Sequence, residues 1–177
     1  MKLELVPPRD GDREVGNNHT MSVTTPLITA CGGFLFAVLW MDLMFDAQVL
    51  ADRDPSGELP ESVLDSIARY YRRAVTESRP MSHLIAVVMA VLLGALGFRA
   101  ARGNDPGWLV AVSVLLAGAP ILLAATHTVP NAVRLGSRSG SPSAQTALAR
   151  SIWRDHLACA VCIVAFLVLW VVHEAVF

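Results

Sequence analysis

Apolar residues in this chain run in four long blocks, Leu27–Leu43, Leu84–Phe98, Trp108–Ala125 and Leu157–Val172, and nearly all the charge falls between them. Each block extends at its ends toward the ~20 residues that a helix needs to cross a hydrocarbon core about 30 Å thick. In that core the backbone N–H and C=O groups of a segment must be satisfied within it, so the blocks predict α-helices. The pattern predicts an all-α fold, an integral membrane four-helix bundle with amphipathic helical extensions on one face. The spans fall at about 27–45, 81–98, 108–127 and 153–174.

Between the spans the periodicity changes. After a loop rich in Asp, Pro and Gly, apolar residues recur at Val63, Leu64, Ile67, Tyr70, Tyr71, Ala74 and Val75. This spacing predicts an amphipathic helix over about 61–78, with Arg69, Arg72 and Arg73 offered to lipid headgroups. Pro80 fits the first turn of the second span, and Gly103-Asn104-Asp105-Pro106-Gly107 predicts a tight polar turn after it. Pro120 predicts a kink in the third span. Ser141 followed by Pro142 predicts a helix start, and nothing interrupts the pattern from there to Phe177. That helix is about 50 Å long, and its first turns stand outside the bilayer. In the first span, Ala30, Gly33 and Ala37 predict a small-residue stripe for close helix contact. Residues 1–25 are polar, carry both signs of charge and are expected to be a disordered tail rather than a signal peptide, with Met21 as an alternative start. The spanning domain then occupies 26–177.

Composition narrows the function classes. A chain of 177 residues that is 54% hydrophobic leaves little for a soluble domain beside one membrane domain. A net charge of −1 removes nucleic acid from the partners, since phosphate binding needs a basic face. The cysteines, Cys31, Cys159 and Cys162, all fall inside spans, which excludes a secreted disulfide framework. Cys159 and Cys162 read as small core residues rather than a redox pair. Of the 14 Lys and Arg residues, nine lie in the two long loops, which favours those loops in the cytoplasm and the plasma (inner) membrane as the location.

The topology brings one end of every span to a single membrane face, and with it Asp42, Asp46, His83, His127, Asn131, Arg134 and His156. Ionisable groups at or within a membrane are costly and mark functional sites. Asp42, His127, Asn131 and His156 lie nearest the apolar boundary and form the candidate catalytic set, whereas Asp46, Arg150 and Arg154 are expected to be interfacial. A histidine beside a carboxylate is a general base near neutral pH. His83, His127, His156 and Asp42 are also metal-ligand types, but their spacing names no metal, and the cofactor stays open. Asn131 and Arg134 suit a developing oxyanion, and Trp40, Arg134 and Trp153 are candidate substrate contacts. On the other face, Cys31, Arg99, Arg102, His173 and Glu174 could also meet, but His173-Glu174 reads as an ordinary interfacial end and no site is placed there.

Val129-Pro130-Asn131 after the third span, and Ile152-Trp153-Arg154-Asp155-His156 opening the fourth, resemble the anthrone-oxygenase-like membrane proteins. That family shares four spans, an amphipathic stretch before the second, and a Pro/Asn motif followed by a Trp…His motif. The layout covers residues 27–172 and the motifs only 127–166. Ala158 stands where the family has a basic residue, and Trp40-x-Asp42-x-x-Phe45-Asp46 lies outside its pattern. The resemblance implies oxidation of an activated methylene in a polycyclic aromatic ketone by molecular oxygen. His156 or His127 would take the C–H proton, Asp42 would orient the imidazole, and Asn131 and Arg134 would hold the enolate oxygen. The apolar substrate would arrive through the lipid bilayer. Two other classes stay open. One is a non-catalytic accessory or scaffold protein that docks a membrane partner or a second copy. The other is a small transporter, against which stands the near absence of polar residues at mid-depth in spans two and four.

Overall fold

A computed structural model describes residues 10–50, 57–77 and 79–176. Among them are helices and turns and no strand. Helix α1 (Asp10–Asp46) is followed by a 3₁₀ turn at Ala47–Leu50, and α2 (Glu61–Tyr71) runs into a π-helical turn at Arg72–Glu77. Next come α3 (Arg79–Arg102), α4 (Gly107–Leu123), a second π-helical turn at Ala124–Thr128, α5 (Val129–Gly136) and α6 (Pro142–Val176). Four segments, Val23–Leu50, Pro80–Arg102, Gly107–Gly136 and Pro142–Val176, are long and apolar enough to cross a membrane. The protein is thus an all-α membrane protein.

The long helices close a ring in the order α1, α3, α4, α6, each packed on two neighbours. Its interior holds Ile28, Leu35, Leu92, Leu96, Leu109, Phe166 and Trp170. The outer surface is equally apolar: Leu115, Leu122 and Val161 are each more than 60% exposed. Water does not tolerate so continuous an apolar exterior, and lipid does.

The buried stripe of α1 is Ile28, Cys31, Gly32 and Leu35. The expected small-residue stripe is therefore displaced, because Ala30 and Ala37 are exposed and Gly33 is only half-buried. A Cβ at Gly32 would sit 2.9 Å from Leu167 Cδ2 and 3.2 Å from Phe166 Cε1, whereas one at Gly33 would meet nothing within 4 Å. The large residues Ile28 and Leu35, seven apart, set the rotation of α1 and turn positions 30, 33 and 37 outward. The same stripe, continued past Leu35, reaches Asp42 and Asp46.

At the loop end, α2, α5 and the first turns of α6 form a cap. Leu59, Leu64, Ile67, Tyr71, Ala132, Leu135, Ala149 and Ile152 make its core. The sequence expects α2 to lie on lipid, but its apolar face is turned into the protein, because α5 and α6 present matching apolar stripes to it. Arg69 pairs with Asp65 at 2.6 Å, and Arg72 Nε donates to the Gly136 carbonyl at 3.1 Å. The Leu59 N–H donates to Thr146 Oγ1 at 3.0 Å, tying the chain ahead of α2 to α6. Arg138, at a left-handed φ of 54°, pins the α5–α6 loop to Glu61 and to Gln145. The predicted start of α6 holds: the Ala144 N–H donates to Ser141 Oγ at 3.3 Å, with Pro142 first in the helix.

Candidate functional site

Where the cap meets the spans, three helices bring five polar side chains together. Asp42 and Asp46 come from α1, one turn apart; Tyr70 and Tyr71 come from the last turn of α2; His156 comes from α6. His156 Nδ1–H donates to Asp46 Oδ2 at 2.6 Å, and the Tyr71 hydroxyl donates to Asp46 Oδ1. Both oxygens of that carboxylate are therefore engaged, which is how a side chain only 1% exposed is satisfied. The other imidazole nitrogen, Nε2, faces Asp42 Oδ2 across 3.9 Å, close enough for attraction and too long for a hydrogen bond. Asp42 in turn accepts from the Tyr70 hydroxyl at 2.6 Å. The groups form one chain: Tyr71, Asp46, His156, Asp42, Tyr70.

The tyrosines lie outside the spans, and their titration follows from this placement. Burial, reinforced by the Asp46 carboxylate, pushes the Tyr71 phenol far above its ordinary range. Burial and then the Asp42 carboxylate do the same for Tyr70. Both phenols remain protonated donors. Tyr70 is also stacked on Phe45, ring centroids 4.0 Å apart, so that an aromatic pair adjoins Asp42.

The sequence-predicted residues divide between two places. His156 and Asp42 meet as expected, and Asp46, expected at the interface, is instead the most deeply buried member of the cluster. Asp46 stands at the end of α1, where depth along the helix alone would expose it, but α2 folds over that end and covers it. His127 and Asn131 go to a neighbouring group. His127 Nδ1–H donates to Asp155 Oδ2 at 2.7 Å, Thr128 Oγ1 donates to the same oxygen at 3.1 Å, and Asn131 Nδ2 donates to His127 Nε2 at 3.2 Å. The π-helical turn after Pro120 carries His127 and Thr128, and Pro120 itself is buried, its carbonyl 3.9 Å from Cys159 Sγ.

Of the candidate substrate contacts, Arg134 is exposed on α5 and Trp153 is partly buried against the cap core. Trp40 is 56% exposed, in a shallow apolar depression with Phe36, Ala37 and Met41, about 200° around α1 from Asp42. Among the candidate metal ligands, His83 is exposed near the start of α3. Among the described residues, no three His, Cys, Asp or Glu side chains are gathered as a metal ion requires. Tyr70, Tyr71 and Asp155 were absent from the candidates. The signal for the tyrosines was two hydroxyls on the apolar stripe of an amphipathic helix, where burial demands partners.

At the opposite end of the ring a second polar group was likewise underrated. Arg99, 5% exposed, forms a bidentate pair with Asp105 at 2.7 and 2.5 Å. Its guanidinium lies 4.6 Å from the Trp170 ring centroid and also donates to Thr25 Oγ1, which donates to Glu174 at 2.8 Å. This group ties α1, α3, the α3–α4 turn and α6 together.

No family model matches this chain, and no curated protein or solved structure shows significant similarity to it.

Proposed function

We propose that this membrane protein is an enzyme that removes a proton from an apolar small molecule, with His156 as the general base. The observation that carries the reading is the 2.6 Å bond from His156 Nδ1–H to buried Asp46. That bond fixes the tautomer and leaves Nε2 as the basic nitrogen. Tyr71 holds the far oxygen of Asp46, so Asp46 and Tyr71 act as positioning residues. Asp42, its side chain 17% exposed and 3.9 Å from Nε2, is the group to which a proton can next pass. A base at the end of the apolar spans suits a substrate that dissolves in lipid.

The resemblance to anthrone-oxygenase-like proteins extends this to a substrate class, a polycyclic aromatic ketone with an activated methylene. The methylene loses its proton to His156, the carbanion gives two electrons to molecular oxygen as the C–O bond forms, and the peroxide anion takes the proton back from His156 as a hydroperoxide. Loss of water then leaves a carbonyl. One methylene and one O2 yield one ketone and one water.

The test is oxygen uptake and quinone formation from anthrone by the detergent-purified protein. His156→Ala should lower the rate about a hundredfold or more. His127→Ala should leave it unchanged, because His127 bonds to Asp155 and belongs to the other group. A wild-type rate equal to that of buffer, or a His156→Ala rate equal to wild type, overturns the reading.

One observation favours a second, non-catalytic reading: Asp46, Tyr71 and His156 satisfy one another while joining the cap to two spans. On that reading the cluster is a staple in an accessory protein, and its substitution changes stability alone.

A further inference from the structure

The outward side of α5 and the turn before it carries a ladder of polar groups rising out of the hydrocarbon zone, and we infer that Asn131 and Arg134, with His127 bracing Asn131, bind the phosphate headgroup of an anionic phospholipid. Gly107–Gly136 is one segment of 30 residues long and apolar enough to cross a membrane, more than the ~20 that the hydrocarbon core needs, which leaves its last turns for the headgroup region at the loop end. Thr128, Ala132 and Leu135 are buried and mark the inward side, while His127, Asn131 and Arg134, four and three residues apart, lie on the other.

The lower rungs are held rigidly. The His127 side chain is 48% exposed, yet its ring is fixed by Asp155 at 2.7 Å and by Asn131 at 3.2 Å. Asp155 Oδ2 accepts from both His127 and Thr128, which engages that oxygen within the protein. Asn131 keeps a second N–H for a phosphate or ester oxygen and a carbonyl that can accept from a headgroup hydroxyl. One turn above, the exposed Arg134 guanidinium makes no hydrogen bond or ion pair among the described residues. Arg154, exposed on the neighbouring α6 one position before Asp155, adds a second such guanidinium.

A guanidinium in this setting matches a phosphate diester with two parallel hydrogen bonds. Val129 and Val133, each 45% exposed, flank the ladder and offer apolar contact to an acyl chain. The two arginines disfavour a headgroup with its own ammonium group, which selects an anionic lipid over phosphatidylcholine. This inference stands apart from the chemistry at His156, since neither cluster needs the other to act.

The full chain, purified in detergent, is titrated with dioleoyl phosphatidylglycerol and with dioleoyl phosphatidylcholine, and bound lipid is counted by native mass spectrometry. Phosphatidylglycerol should bind about tenfold more tightly, and Arg134→Gln should remove most of that preference. Arg73→Gln removes another exposed arginine, on the turn after α2, and should weaken binding by no more than about twofold. Equal binding of the two lipids overturns the inference. So does a loss in Arg73→Gln that matches Arg134→Gln, which would mean diffuse surface charge. Displacement of the lipid by millimolar inorganic phosphate also overturns it, since a bare oxyanion site would then suffice. Unchanged thermal unfolding of the Arg134→Gln protein without lipid keeps the comparison one of binding alone.

Discussion

Asp46 is the residue on which the buried cluster turns, because it takes one donor from α2 and one from α6. Removing the acceptor leaves two buried donors, the Tyr71 hydroxyl and His156 Nδ1–H, without a partner, so Asp46→Ala should destabilise the protein by ~3 kcal/mol in thermal unfolding. The exposed pair Asp65–Arg69 has a similar distance, 2.6 Å, but Asp65→Ala should cost less than about 0.5 kcal/mol, because water screens it. The tyrosines give a direct optical test, since Tyr70 and Tyr71 are the only two in the chain. A phenol whose folded pKa is raised above its unfolded value contributes stability that is complete below the unfolded pKa, about 10, and is lost as pH climbs through the folded one. Tyrosinate absorbance should therefore be absent from the folded protein at a pH of about 11 and appear in full once it unfolds. Absorbance that titrates near 10 in the folded protein would mean that the hydroxyls are not buried against Asp42 and Asp46. At this scale Asp42 and His156 were legible, because a charge near an apolar boundary stands out in the sequence. The tyrosine partners were not, because a hydroxyl carries no such contrast.

Among the elements, the rotation of α1 decides which residues face α6. Gly32→Leu should drive the two helices apart and cost ~2 kcal/mol, while Gly33→Leu, pointing into open space, should be neutral in thermal unfolding. The reverse ranking would restore the stripe of Ala30, Gly33 and Ala37. Gly136 has less room to adjust, because its Cβ would lie 3.1 Å from the Arg72 backbone N and 3.3 Å from its Cα, and backbone cannot swing aside as a side chain can. Gly136→Ala should cost about 1–3 kcal/mol and speed hydrogen exchange across α2. The amphipathic helix itself was legible from its period. Its partner was not, since an apolar stripe fits a lipid surface and a neighbouring helix equally well.

For the whole molecule, an apolar exterior around four spanning segments means that detergent should extract the protein from membranes and alkaline carbonate should not. The ring is fastened at both ends by polar groups, the His156 cluster at one and the Arg99 cluster at the other. Lysine cannot reproduce the two-pronged bond to Asp105, so Arg99→Lys should cost ~2 kcal/mol although the charge is kept.

The all-α class, the four spans, the unbroken α6 and its Ser141 cap followed from the sequence alone, because hydropathy and capping act over a few neighbouring residues. The tertiary structure decided the rest: which side of α1 packs inward, that α2 covers Asp46, and that His127 and His156 serve separate groups. Each of these joins residues far apart in the chain, 110 positions in the case of Asp46 and His156. Such pairings depend on how helices rotate and stack against one another, and local pattern does not encode that.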